Sequence, residues 1–392
     1  MTVAPAPRPD DAGLAEAAAE LAGAYVHIPF CRRRCPYCDF AVEAPTADGD
    51  ERIEVYVAAL VAEIAMAEPF GRLDAVNLGG GTPSTLTARQ LAQMLEALAD
   101  RNGINAAAEI SIEANPEDWS PTLGSQLRAC GFTRVSFGVQ SFDPVVLSTL
   151  GRLHTPEQAD AAVIEARAAG FSTNLDLIYG SPVETAASWR ASVQRALALE
   201  PNHVSAYALT VEPGTELARS VLAGAPAPDA DIQADRYEYL AAVAEAAGLV
   251  RYEVSNWAEP GHHCRYNLAT WAQGEYVGFG LGAHDHIAGV RARNHRRLDR
   301  YLEAVMRGDR PRLGAEEQQG FAGDQERVML GLRRVAGVVA GDSGSCLLES
   351  EAGRRLVAAG LLAADGGRLR VTDPLRTDTV VRAVLSLSPG EC

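Results

Sequence analysis

Six short apolar runs, each followed by a stretch with helical periodicity, constrain this chain more than any other feature. The runs are Tyr25–Ile28, Ala75–Leu78, Glu109–Glu113, Arg134–Val139, Ser172–Ile178 and His203–Leu209. After Asp50, the residues Ile53, Val57, Leu60, Val61 and Ile64 recur at the spacing that puts them on one helical face. Thr87 to Ala99, Pro156 to Ala169 and Thr185 to Leu199 behave in the same way. Pro121 and Pro156 each follow Ser or Thr, the arrangement of a first helical turn behind a side-chain cap. Six strand–helix units in succession predict an α/β fold with a parallel sheet and right-handed crossovers. Such a sheet is either open and doubly wound or curved into a partial barrel. In both, ligands gather at the C-terminal ends of the strands.

The six units occupy residues 24–250. Ahead of them, residues 1–23 read as a flexible arm without the basic stretch and apolar core of a signal peptide. Residues 251–315 are rich in Gly, His, Asn and aromatics and read as functional loop and irregular strand packed on the core. Residues 316–392 turn to short helices and the run GLLAADGGRLRVT, a hairpin with Asp365-Gly366 at its turn, which together suggest a small helical domain with a β-wing. A net charge of −16 argues against a nucleic-acid partner, since phosphate contacts need clustered Lys and Arg. No apolar run is long enough to predict a transmembrane helix. Seven unevenly placed cysteines do not make a secreted disulfide scaffold, so a reducing, cytoplasmic location is expected.

Three of those cysteines crowd into YVHIPFCRRRCPYCDF, directly after the first strand. Thiolates at Cys31, Cys35 and Cys38, spaced on one loop, suit a metal cluster rather than a disulfide. A zinc site normally takes four protein ligands, and no fourth Cys or His lies at the usual spacing. Three cysteines on a four-iron cluster leave one iron open to a ligand. The second element is NLGGGTPS, Asn77 to Ser84, where glycines after a strand let backbone N–H groups approach a polar ligand closely. The loop lacks lysine, which disfavours a P-loop.

C-x-x-x-C-x-x-C with Tyr37 before the last cysteine resembles the radical S-adenosylmethionine (SAM) superfamily. The segments HIPFC, GGGTPS, EANPE, RVSFGVQSFD, LGRLH, NLDLIYGSP, AYALTVEPGT, YEVSNWA and GLGAH follow one another as in the anaerobic coproporphyrinogen III oxidase family. That resemblance implies a partial (β/α)6 barrel with a small C-terminal helical, winged-helix-like domain. It implies a 4Fe–4S cluster on Cys31, Cys35 and Cys38, and SAM contacts from Tyr25, Tyr37, Gly80, Gly81, Thr82, Glu113, Gln140, Arg152 and Asp176. Glu113 and Asp176 would accept hydrogen bonds from the SAM ammonium or ribose, and Arg152 would pair with its carboxylate.

The oxidases carry a fourth cysteine two residues after the third; Phe40 stands there instead, and the CDF ending resembles the HemW-type heme chaperones. This implies heme as a further ligand and hemoproteins as acceptors, with no catalytic residue assigned. Peripheral membrane association and a homodimer are left open. The alternative is a radical SAM oxidative decarboxylase of coproporphyrinogen III. The branch's H-N-x-x-Y-W motif is altered here, with Tyr266 for His and Thr270 for Tyr. His262, His263, Cys264, His284 and Tyr266 itself are therefore the candidates for an axial heme ligand. His27 reads as core or as support for the cluster loop. The run Arg32–Arg34 would offset the charge of the cluster, attract heme propionates, or simply form a solvated loop face.

Overall fold

The computed structural model describes residues 17–44 and 49–389. All six expected strands form: β1 (Gly23–Ile28), β2 (Leu73–Gly80), β3 (Ile104–Ala114), β4 (Arg134–Gln140), β5 (Ser172–Tyr179) and β6 (His203–Ala208). They pair in parallel, in unbroken chain order. That order decides between an open sheet and a barrel. A doubly wound sheet reverses at a switch point and carries helices on both faces. Strands laid down in sequence by right-handed crossovers put every helix on one face and curl around the other. The sheet is accordingly a partial barrel.

The outward faces of the strands make the core. Val76, Leu78, Ile112, Val135, Phe137, Leu175, Leu177 and Val204 are buried together with Tyr56, Leu60, Leu91, Met94, Val163 and Trp189 from the surrounding helices. Helix starts follow the expected chemistry. The Ser120 hydroxyl accepts from the Leu123 N–H ahead of Pro121, and Thr155 forms a reciprocal capping box with Gln158 ahead of Pro156.

Residues 251–315 are more regular than expected. After β7 (Val250–Arg251), β8 (Asn256–Ala258) runs antiparallel on β6. On the other side β9 (Tyr276–Phe279) adds a further parallel strand to β1. The antiparallel strands β10 (His284–Ile287), β11 (Val290–Asn294) and β12 (Arg312–Glu317) then extend that edge. Strands of three to six residues carry too few alternations to register as a pattern, which is why the sequence reads as loop. Buried Glu63 fastens this side: its carboxylate accepts from the Gly280 N–H at 2.8 Å, Asn294 Nδ2 at 2.7 Å and the Tyr301 hydroxyl at 2.8 Å.

Residues 1–16 of the expected arm lie outside the described residues. The rest of it is packed, with Ala18 buried against Tyr252, Ala258 and Leu268. Toward the C-terminus a separate core of Val328, Leu332, Leu347, Leu356, Leu369, Val380 and Val384 gathers helices Gly320–Gly331, Gly341–Glu349, Glu351–Ala358 and Thr377–Leu385. Beside them lies a three-stranded sheet of β13 (Val338–Val339), β14 (Leu362–Asp365) and β15 (Arg368–Val371). The wing hairpin turns on Gly366-Gly367 rather than Asp365-Gly366, because both central residues have positive φ, +56° and +77°.

Candidate cofactor-binding site

Each barrel strand alternates an apolar residue facing the helices with a small or polar residue facing inward. On β3 the inward residues are Ser111 and Glu113; on β4 they are Arg134, Ser136, Gly138 and Gln140. On β5 they are Asn174 and Asp176, and on β6 His203, Ser205 and Tyr207. All of them line one cavity of about 520 Å³ that runs from the cysteine loop down the barrel to Cys264 and Asn267. A closed barrel of this kind fills its interior with branched apolar side chains. Here the strands leave it open and polar.

The mouth of the cavity is built by the cysteine loop. Cys31, Cys35, Tyr37 and Cys38 line it, together with Gly80, Gly81, Thr82, Glu113, Gln140, Arg152 and Asp176. The Thr82 hydroxyl donates to Cys31 Sγ at 3.5 Å, and Arg152 donates to Cys35 Sγ at 3.6 Å. Among the described residues no three His, Cys, Asp or Glu side chains form a group fit for a single metal ion. A four-iron cluster instead takes each thiolate on its own iron, and the donor set of three cysteines fits it. Burial pushes the Cys31 thiol up to about 11 and raises that of Cys38. Without a metal these thiols stay neutral.

The three glycines have a packing reason that the sequence did not show. A Cβ on Gly79 would collide with the Glu113 carboxylate, one on Gly80 with the His27 ring, and one on Gly81 with the backbone of Ile28 and Pro29 at 2.7 Å. Gly80 also has φ +107°, and its N–H donates to Glu113 Oε2 at 3.0 Å. The loop is thus pressed against the strand ends whatever it binds.

Below the mouth, Arg152 is anchored by Asn115, by the Gly138 carbonyl at 2.8 Å and by Cys35. Asn115 also donates to Thr82 Oγ1 at 3.1 Å, so it couples the glycine loop to the arginine. Burial, with the neighbouring Asp176 charge adding to it, pushes Glu113 up to about 7; burial raises Asp176 as well. Gln140 sits at φ +65°, a conformation that strains a non-glycine residue. Deeper still, Asn174 Nδ2 donates to Ser136 Oγ at 2.5 Å, Asp176 Oδ1 at 2.8 Å and Ser205 Oγ at 2.9 Å. His203 donates from Nδ1 to Asn174 Oδ1 at 2.6 Å and accepts from the Tyr252 hydroxyl at 2.8 Å, an arrangement for a neutral ring. Its burial lowers its pKa far enough to keep it so. Asn115, Ser136, Asn174, His203 and Ser205 went unnoticed in the sequence, although period-two polarity within each apolar run would have found most of them.

Tyr25 lies on β1 close enough to Glu113 to feel its charge; its ring stacks on Tyr266 at 6.1 Å and its hydroxyl meets His27 Nδ1 at 3.0 Å. His27 in turn reaches the Ala41 carbonyl at 2.9 Å, which gives both residues a part in supporting the cysteine loop. The candidate heme ligands separate clearly. Tyr266 is packed between Tyr25 and Tyr276, and burial raises its phenol well above the ordinary range. His262 bonds Ser172 Oγ at 3.0 Å, His263 lies edge-on to Tyr252 at 4.9 Å, and burial pushes the Cys264 thiol up to about 12. These four close the lower end of the barrel, whereas His284 is exposed at the start of β10.

The Radical SAM superfamily model matches residues 25–196. The chain is 42% identical to the heme chaperone HemW of Mycobacterium tuberculosis (strain ATCC 25618 / H37Rv), over 95% of this chain and 97% of that protein. The chain belongs to the heme chaperone HemW family. It is also 33% identical to the HemW protein of Bacillus subtilis (strain 168), over 80% of this chain and 84% of the other. A mitochondrial radical S-adenosyl methionine domain-containing protein 1 of Bos taurus is 33% identical over 81% of this chain and 74% of its own length. Among solved structures, the coproporphyrinogen III oxidase HemN of Escherichia coli superposes with a TM-score of 0.81 over 97% of this chain and 94% of that one, at 24% identity. That likeness confirms the partial barrel and the C-terminal helical portion.

Proposed function

We propose that this chain binds heme and passes it to hemoprotein acceptors, with Cys31, Cys35 and Cys38 holding a 4Fe–4S cluster and the cavity beneath them holding SAM. The observation that carries the reading is the family kinship over nearly the whole chain. The loop agrees with it, because Phe40 stands where the oxidases need a fourth cysteine and its side chain is 58% exposed. Glu113 and Asp176 supply the acceptors for an ammonium and ribose hydroxyls. Arg152 supplies the cation for a carboxylate, and Thr82 and Asn115 fix the loop against the cluster ligands. When bound, cluster and SAM supply an electron donor and a source of a carbon radical. The protein's own groups bind, orient and shield.

No helix among the described residues is long and apolar enough to cross a membrane, and we assign the protein to the cytoplasm. The second reading, oxidative decarboxylation of coproporphyrinogen III, is favoured by the polar chamber that continues below the SAM subsite. The deciding experiment titrates heme into the reconstituted protein, then incubates it with SAM, a reductant and coproporphyrinogen III. A Soret shift without protoporphyrinogen IX supports the chaperone; protoporphyrinogen IX formation overturns it.

A further inference from the structure

The cysteine loop separates two cavities that share residues. One is the barrel cavity. The other, of about 490 Å³, lies against the loop's trailing side and the segment 296–299. Arg34, Asp39, Phe40 and Val42 line both. Phe40 therefore stands on the ridge between them, exposed and held in no aromatic cluster. The three arginines of the loop are not equivalent. Arg32 is paired with Asp118. Arg34 makes only a long 3.4 Å contact to the Cys38 carbonyl. Arg33 lines the barrel mouth and, among the described residues, makes no hydrogen bond or ion pair.

An exposed aromatic face flanked by under-used guanidinium groups matches one class of ligand: a flat apolar macrocycle with anionic arms on its edge. A small ammonium or inorganic phosphate would leave the Phe40 face unused, and the flat anionic ligand that the chaperone reading supplies is heme. In a chain of net charge −16, two guanidinium groups free of close carboxylate partners favour the approach of an anion. We propose that Phe40, Arg33 and Arg34 form the heme dock, with the macrocycle lying on Phe40 and its propionates on the two arginines. This rests on the chaperone reading and gives it a place: heme lies at the mouth, above the SAM subsite, and not at the Tyr266 position.

The test measures heme affinity by Soret titration on the full chain, both before and after cluster reconstitution. Phe40→Ser and the double variant Arg33→Glu/Arg34→Glu are each expected to weaken heme binding about tenfold. Phe40→Trp keeps the stacking face and is expected to bind as the parent chain does. Heme dimethyl ester, which lacks the charged arms, is expected to bind the parent more weakly than heme, while the double variant reverses that preference because its carboxylates repel the propionates. Because these side chains lie on the surface, unchanged thermal unfolding shows that the variants are folded. Parent-like affinity in both Phe40→Ser and the double variant overturns the dock and leaves the chaperone reading standing. Absence of heme binding by the parent chain overturns both.

Discussion

Replacing Glu113 by Gln should make the ligand-free protein more stable at neutral pH and less able to bind SAM. Glu113 is surrounded by protein and faces Asp176, and its pKa rises from 4.5 to about 7. The folded chain therefore holds this proton more tightly than the unfolded chain does. Below about pH 4.5 the group is protonated in both states and contributes no pH-dependent difference. As pH rises toward 7 the unfolded carboxyl ionises freely while the folded one resists, so stability falls; above 7 the loss is complete. At ~1.4 kcal/mol per pH unit, the full loss is about 3 kcal/mol. Water in the adjoining cavity screens part of the charge, so a gain of roughly 1–3 kcal/mol is expected for Glu113→Gln at pH 8. Gln retains an acceptor oxygen for the Gly80 N–H, so that hydrogen bond survives. Urea unfolding of the ligand-free chain and the variant at pH 5 and pH 8 measures the effect. The advantage of Gln should be large at pH 8 and shrink toward pH 5, while SAM affinity drops about tenfold or more for want of a charged acceptor. Equal stability at pH 8, or an advantage that does not shrink in acid, would refute the reasoning.

Cys35→Ala removes one proposed cluster ligand together with the acceptor of Arg152; iron analysis after reconstitution should show loss of the cluster, with the fold intact by circular dichroism. Arg152→Lys keeps the charge but cannot span Asn115, the Gly138 carbonyl and Cys35 at once, so SAM binding should weaken about tenfold while iron content is unchanged. Gly81→Ala puts a Cβ 2.7 Å from the Ile28 carbonyl oxygen and Pro29, rigid backbone that has to shift. Thermal unfolding should show a loss of about 1–3 kcal/mol. Tyr266→Phe should leave the heme absorption spectrum unchanged, because that ring is enclosed by Tyr25 and Tyr276 and its phenol resists ionisation.

The parts that were legible in the sequence are those specified locally. The six parallel strands were readable because each outward face is a run of branched and aromatic residues such as Val135, Phe137 and Val139. The cysteine loop was readable because its chemistry is contained in eight consecutive residues. Sequence could not choose between open sheet and barrel, since strand order is a property of pairing and not of pattern. It missed the second flank of the barrel because β9 to β11 are too short to show periodicity. Tyr25 was linked to the SAM site only through the family resemblance; its stacking on Tyr266 and its nearness to Glu113 come from strand pairing, which no sequence pattern shows. The glycines of NLGGGTPS were read as making room for a ligand, while the structure shows them first making room for Glu113, His27 and the β1 backbone.

The distribution of satisfied and unsatisfied polar groups says where in this cavity a ligand belongs. Burying a polar group without a partner costs about 1–3 kcal/mol, so such a group on a cavity wall favours a ligand that meets it. In the lower half of the barrel the demand is met internally: Asn174 alone joins Ser136, Asp176, Ser205 and His203, and Arg134 donates to the His262 carbonyl at 2.9 Å. Toward the mouth it is not. Arg152 Nε is buried without a partner, Gln140 is held at positive φ, and Glu113 and Asp176 lie close together with their pKa values raised. Backbone strain at Gln140, the unmet Arg152 Nε and the raised carboxyl of Glu113 all lie in the upper part of the cavity, beneath the three cysteines. A ligand with an ammonium and a carboxylate would meet the Glu113 carboxyl and the Arg152 guanidinium there, at the level where it could also reach the open iron of a cluster.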